Sequence, residues 1–287
     1  MNMLRPRLLI SFACAALLLA ACASGPTQQS RVQMEAEAAR AFNKMRASMP
    51  LVTDRPTIDF VACVAEAVVE QLEPPYNDIE WELAIFEQES VNAFAMPGGK
   101  IGVFSGILKV TENQHQLATV IGHEIAHVTA GHSVSRAGRD DLTRVGINAA
   151  AILLGGGYSG ATYTAQQALA YGATFGISLP YKRGQESEAD VIGLEYMARA
   201  GFDPRESVPL WQRMGQSSGR EPAEFMSTHP ANDTRIENLI GEWQKTLPFY
   251  NQAQTEGRMP DCGANPRAVT EVKSKEAKEE PLLARRA

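Results

Sequence analysis

The spacing of apolar residues changes period twice along the chain. Residues 31–48, rich in Ala, Glu, Arg and Met, predict a helix. Pro50 and Pro56 interrupt it, and residues 57–72 predict a second, with Phe60, Val64, Ala67, Val68 and Leu72 at helical spacing and Pro74-Pro75 as its stop. The period then falls to two. Ile79, Trp81, Leu83 and Ile85 alternate with Glu80 and Glu82, and two further extended runs, Val91 to Met96 and Lys100 to Phe104, flank Pro97-Gly98-Gly99, which reads as a tight hairpin turn. A small antiparallel sheet is therefore expected before residue 105. Helical spacing returns at Leu117, Val120, Ile121, Ile125 and Val128, with Thr111 and Gln114 as the opening cap pair and Gly131 as the stop. Residues 145–179, rich in Ala and Gly, predict a helix, a Gly-rich turn and another helix. Further helices are expected from about Glu186 to Ala200, from Asp203-Pro204, and through Ile236, Leu239 and Ile240. No segment repeats with a period of 20 to 50 residues. The pattern is α+β, mainly helical, with the sheet just ahead of the helix over residues 111–131.

The N-terminal apolar run, Leu8 to Ala21, is too short to span a bilayer and follows Arg5 and Arg7, as in an export signal. It ends in Leu19-Ala20-Ala21-Cys22, which resembles a bacterial lipobox. That resemblance implies cleavage before Cys22 and lipidation of it, and Ala23 behind the cysteine favours the outer membrane; an ordinary signal peptide with Cys22 incidental is the alternative. The expected organisation is a signal at 1–21, a lipidated cysteine and flexible tether at 22–30, one domain at 31–262, and a charged, disordered tail at 263–287. In an oxidising compartment Cys63 and Cys262 are candidates for a bridge pinning the C-terminal segment onto an early helix, the alternative being two separate thiols. With 27 basic against 33 acidic residues, little could neutralise phosphates, so nucleic acid is excluded as a partner. The four cysteines form no CxxC pair, which removes a cysteine metal site.

The chemistry lies in the histidines. His123-Glu124-Ile125-Ala126-His127 is an HExxH pattern inside a predicted helix. Residues four apart differ by about 40° around a helix, so both imidazoles can reach one zinc ion, with Glu124 beside the first as general base. Zinc then needs a third protein ligand. His132 is the nearest histidine, but it lies about 180° round a continued helix from His123. Ala130 and Ser133 exclude the metzincin pattern. His132 is therefore read as a helix-end or surface residue, and His115 as too distant to ligate. A second helix offers Glu186-Ser187-Glu188-Ala189-Asp190. Glu186 and Asp190 share a face, which suits Glu186 as third ligand and Asp190 as partner of a ligating histidine; Glu188 points elsewhere, and a merely solvated acidic helix start is the alternative.

HEIAH with a downstream ESEAD resembles the gluzincin family that contains HtpX and the CAAX prenyl proteases. Asn92 to Gly99, Arg183, Ser227 to Pro230 and Arg235-Ile236 extend the likeness. The resemblance implies a zincin-like metalloprotease domain with one zinc per chain. Its ligands would be His123, His127 and Glu186, with Glu124 and Asp190 catalytic. Having no spanning helices and no repeat domain, the chain looks most like a short periplasmic lipoprotein branch, LoiP-like. It would act on misfolded or stalled envelope proteins from a lipid anchor at the periplasmic side of the outer membrane, with the outer-membrane assembly machinery as a candidate partner. A narrow-specificity processing protease and a zinc-containing chaperone that does not cut are the rivals. In such folds an edge strand binds substrate backbone, and Ala93, Phe94 and Ala95 are candidates, unless the hairpin is plain core sheet. His229 fits an oxyanion or substrate contact, a fourth zinc ligand in a resting state, or a structural histidine. Tyr181 and Arg235 are further oxyanion candidates.

Overall fold

The computed structural model describes residues 28–133, 181–216, 225, 228–229 and 233–268. The leader, Cys22, the helix pair expected at 145–179 and the tail beyond residue 268 lie outside the described residues. Among those described, no helix is long and apolar enough to cross a membrane.

Helix α1 spans Gln28–Ser48, starting inside the stretch expected to be tether, and α2 spans Arg55–Val69. Pro56 does not break α2. It sits in its first turn, where a missing N–H costs nothing, and the Asp54 carboxylate caps the Thr57 N–H. Three strands follow, β1 (Glu82–Phe86), β2 (Ala93–Met96) and β3 (Lys100–Phe104), in the order β1-β3-β2. The hairpin forms as expected, with Ala93 opposite Val103 and Met96 opposite Lys100. However, β1 runs parallel to β3, Leu83 opposite Ile101, so the sheet is mixed rather than antiparallel. The connection from β1 to β2 crosses to the far side of β3 and so leaves β2 as an edge among the described residues.

Both faces of this sheet are covered. Phe42 and Met45 of α1 pack on Phe86, Phe94, Met96 and Phe104. Ile85, Ala93, Ala95, Ile101 and Val103 face the main core with α2 and α3. That double burial explains why Ala84, Ile85 and Phe86 are apolar in succession: a strand covered on two sides has no polar face.

Helix α3 spans Gln114–Thr129 and carries the HExxH residues. Its cap is Asn113, whose side chain accepts from the His115 and Gln116 N–H groups; the expected cap, Thr111, is buried and donates instead to the Ile107 carbonyl. Helix α4 spans Arg183–Arg199 and packs along α3. The two backbones meet at glycines: a Cβ on Gly122 would stand 2.8 Å from the Gly193 carbonyl oxygen. This close approach lets short carboxylate side chains of α4 reach the imidazoles of α3. A 3-10 turn, Pro204–Glu206, leads into α5 (Ser207–Gln216), and α6 (Asp233–Thr255) runs through Pro248.

The domain edge expected at 262 falls short. Cys262 is disulfide-bonded to Cys63 of α2, and its N–H donates to the Gln114 side chain. Beyond it, Asn265 is buried and donates to the Leu108 and Thr111 carbonyls, and Arg267 pairs with Asp54 and Glu87. Residues 263–268 are thus part of the folded domain.

Candidate metal centre

His123 and His127 sit one turn apart on α3, Glu186 in the first turn of α4, and His229 in the turn that precedes α6. All four are buried. That turn is fixed at several points. The His229 N–H donates to the Phe225 carbonyl, the Phe225 N–H to the Val91 carbonyl just ahead of β2, and the Tyr181 N–H to the Thr228 carbonyl. The Phe225 ring stacks on the His229 imidazole.

The donor atoms converge. His123 Nε2 lies 3.1 Å from His127 Nε2 and 3.1 Å from His229 Nδ1. Glu186 Oε1 lies 3.1 Å from His229 Nδ1 and 3.4 Å from His127 Nε2, and Glu186 Oε2 lies 3.4 Å from His123 Nε2. Zinc bonds imidazole nitrogen and carboxylate oxygen at about 2.0–2.2 Å, so tetrahedral ligands stand about 3.3–3.6 Å apart. The observed separations are those of a set gathered round one point, and three imidazoles with one carboxylate suit zinc better than magnesium or calcium, which take oxygen ligands. His229 had several readings from sequence; here it is the fourth member of the group.

The outer partners are equally defined. His123 Nδ1 lies 3.0 Å from Asp190 Oδ1, and Arg235 grips the same carboxylate at both oxygens, 2.7 Å each. Arg235 also reaches Glu186 Oε2 at 3.2 Å and donates to the His229 carbonyl, while its guanidinium lies 3.5 Å from the centre of the Trp211 ring. Burial opposes the charge on Asp190, but Arg235 and His123 outweigh it and lower its pKa. Burial likewise opposes the charge on Glu186, and hydrogen bonds from His123, His127 and His229 hold it far below the usual carboxylate range. Arg235 is thereby committed to positioning ligands. Tyr181 stacks on the His127 ring at 3.7 Å.

Glu124 is buried with Oε1 3.3 Å from His229 Nε2, yet that oxygen accepts no hydrogen bond. A buried carboxylate oxygen with no protein partner beside a gathered ligand set is placed to accept a proton there. Burial pushes the Glu124 carboxyl up from its ordinary value, against the pull of His229 and His123. The Ala95 backbone lies beside this carboxylate and slightly offsets the upward push, which places β2 next to Glu124. The side chains of Ala93 and Ala95 face the main core and Phe94 the opposite face of the sheet, so only the backbone of β2 is left to meet a ligand.

Two residues depart from expectation. The helix ends at Thr129 and Gly131 adopts φ +70°, so the chain reverses and His132 folds back under α3 instead of pointing away. His132 Nδ1 lies 2.8 Å from His127 Nδ1, and His132 Nε2 lies 3.2 Å from Glu188 Oε2. Glu188, expected to point elsewhere, therefore reaches the centre through His132. The signal was the glycine itself, whose left-handed turn invalidates helical angles beyond it. His115 does stay outside: its Nδ1 accepts the Asp203 N–H.

Residues 59–242 match the model of peptidase family M48. This chain belongs to that family. It is 37% identical over 190 residues to the mitochondrial metalloendopeptidase OMA1 of Schizosaccharomyces pombe, covering 65% of this chain and 51% of the relative. It is 31% identical over 219 residues to the beta-barrel assembly-enhancing protease of Yersinia pestis, covering 71% and 43%. It is 27% identical over 222 residues to the protease of that same name from Escherichia coli, covering 74% and 44%. The chain spans about half the length of these curated relatives, or less.

Proposed function

We propose that this chain is a zinc-dependent metalloendopeptidase. The observation that carries the reading is the convergence of His123, His127, Glu186 and His229 on one point, with the unbonded oxygen of Glu124 beside it. Zinc held there supplies a Lewis acid for the scissile carbonyl and makes water acidic enough to attack near neutral pH. Glu124 takes the proton of the attacking water and returns it to the leaving amine, a double duty that suits a carboxyl whose pKa burial has raised. Asp190 and Arg235 keep His123 and Glu186 in place. The backbone of edge strand β2 meets an extended substrate, since that edge already touches Glu124 through Ala95.

Four protein ligands close a zinc site, whereas catalytic sites keep a position open. His229 comes from outside α3 and α4 and is not part of the HExxH and Glu186 set, so it is the member that would have to give way to a water in a catalytic site. The same closed set favours a second reading, a zinc-holding chaperone that does not cut.

The finer assignment rests on the leader pattern ending at Cys22 and on relatives named as proteases, one of them for β-barrel assembly. It is a lipoprotein at the periplasmic face of the outer membrane, degrading misfolded or stalled envelope proteins. Proteolysis of unfolded casein by wild type, Glu124→Gln and a chelated sample tests the enzyme. Wild type should cut, and Glu124→Gln should fall by about 10²-fold or more with zinc retained. Equal cutting by all three removes the mechanism. Loss of cutting with retained cellular rescue by Glu124→Gln favours the chaperone. Labelling with a radioactive fatty acid, abolished by Cys22→Ser, tests the anchor.

A further inference from the structure

We infer that His132 and Glu188 are positioning residues that hold the second metal-ligating histidine through a hydrogen-bond relay; this rests on the zinc reading above. The contacts are His127 Nδ1 to His132 Nδ1 at 2.8 Å and His132 Nε2 to Glu188 Oε2 at 3.2 Å. Ligation fixes every proton along this line. A neutral His127 that gives its Nε2 lone pair to the metal carries its hydrogen on Nδ1. Among the described residues that N–H meets His132 Nδ1, so His132 Nδ1 is an acceptor and its hydrogen sits on Nε2. The Nε2–H then donates to the Glu188 carboxylate. Each polar atom finds the complementary role, and reversing one tautomer would set two N–H groups or two lone pairs against each other.

The two ligating histidines are thus supported in different ways. His123 meets the buried Asp190 directly, 3.0 Å from Nδ1. Among the described residues, His127, in the next turn of α3, has no carboxylate on Nδ1 and obtains one at second hand, from a side chain 59% exposed at the surface. The relay exists because Gly131 turns the chain back and because Glu188 lies two residues beyond the ligand Glu186 on α4. His132 is buried, so no water stands in easily as acceptor for the His127 N–H. Partners of this kind typically change metal affinity by about 10- to 100-fold.

The test is zinc affinity of the purified full chain, by competition with a chromophoric chelator, for wild type, His132→Leu, His132→Asn and Glu188→Ala. Cobalt(II) absorption of each loaded protein reports ligand geometry. Leucine fills the space without an acceptor, whereas the asparagine amide oxygen falls near the place of Nδ1. His132→Leu should bind zinc about 10- to 100-fold more weakly with an altered cobalt spectrum, His132→Asn should recover most of the loss, and Glu188→Ala should lose about threefold or more. Should the leucine variant fail to fold, the other two carry the test, Glu188 being exposed. The relay is overturned if zinc affinities of the variants match wild type, or if Leu and Asn lose equally, which would make the effect one of packing. A wild-type chain that takes up no zinc would overturn the metalloendopeptidase reading itself.

Discussion

A Cβ placed on Gly193 would stand 2.7 Å from the backbone nitrogen of His123. The contact is backbone to backbone, so no flexible side chain can give way. Gly193→Ala must push α4 off α3, and with it the Glu186 and Asp190 carboxylates off their histidines. We expect the variant to lose about 1–3 kcal/mol of stability and a disproportionate share of zinc affinity. Paired measurements of the chelated protein's melting temperature and its zinc dissociation constant check this. An unchanged zinc constant in a destabilised variant would show that helix spacing does not set the site.

That same contact marks the limit of what the sequence carried. His123, Glu124 and His127 were legible because ligand spacing on one helix is a local property, and Glu186 with Asp190 because helical period puts both on one face. The resemblance supplied the pairing of the two helices. What was not legible depended on chain direction outside regular elements. Gly131 brings His132 back beneath His127, and β1 lies parallel to β3 because the connection crosses the sheet. Period alone shows which face a residue occupies but not which neighbour covers it. Hence Glu188 looked solvated, and the segment after Cys262 looked like tail although Asn265 is buried.

The metal-free site should be stabilised by a proton. Burial disfavours a charged His123, but the Asp190 and Glu186 carboxylates outweigh it and raise its pKa from 6.5 to about 9. A raised histidine pKa contributes stability that is fully present below the unfolded value and lost as pH rises through about 9. Zinc requires the deprotonated ring, so it competes with that proton. The chelated protein should therefore lose stability between pH 6.5 and 9 while apparent zinc affinity climbs over the same window. Melting curves with and without zinc, and calorimetry in buffers of different ionisation enthalpy, check both halves. Zinc uptake at pH 7 without proton release would mean His123 is neutral beforehand.

The bond between Cys63 and Cys262 anchors a strap over the start of α3, where Gln114 donates to the Pro260 carbonyl and accepts the Cys262 N–H. The bridge closes a loop of 199 residues and so restrains much of the unfolded chain. Cys262→Ser should cost about 2–5 kcal/mol. Reductant should lower the melting temperature of wild type toward that of the variant and leave the variant unmoved. Equal sensitivity of the two proteins to reductant would remove the bridge as the cause.

Arg235 is the cation that makes two buried carboxylates tolerable. It donates to both oxygens of Asp190 and pairs with Glu186, and its guanidinium lies against Trp211. Removing one partner of a buried pair leaves the other uncompensated, at a cost of about 3–5 kcal/mol. Arg235→Ala should therefore unfold more easily and hold zinc weakly. Arg235→Lys tests geometry beyond charge, since a single ammonium cannot span both Asp190 oxygens while reaching Glu186 and the His229 carbonyl. The lysine variant should recover part of the stability that the alanine variant loses and little of the zinc affinity. If lysine restores both, charge alone suffices, and the fork that ties His123, Glu186 and His229 together is not what aligns them.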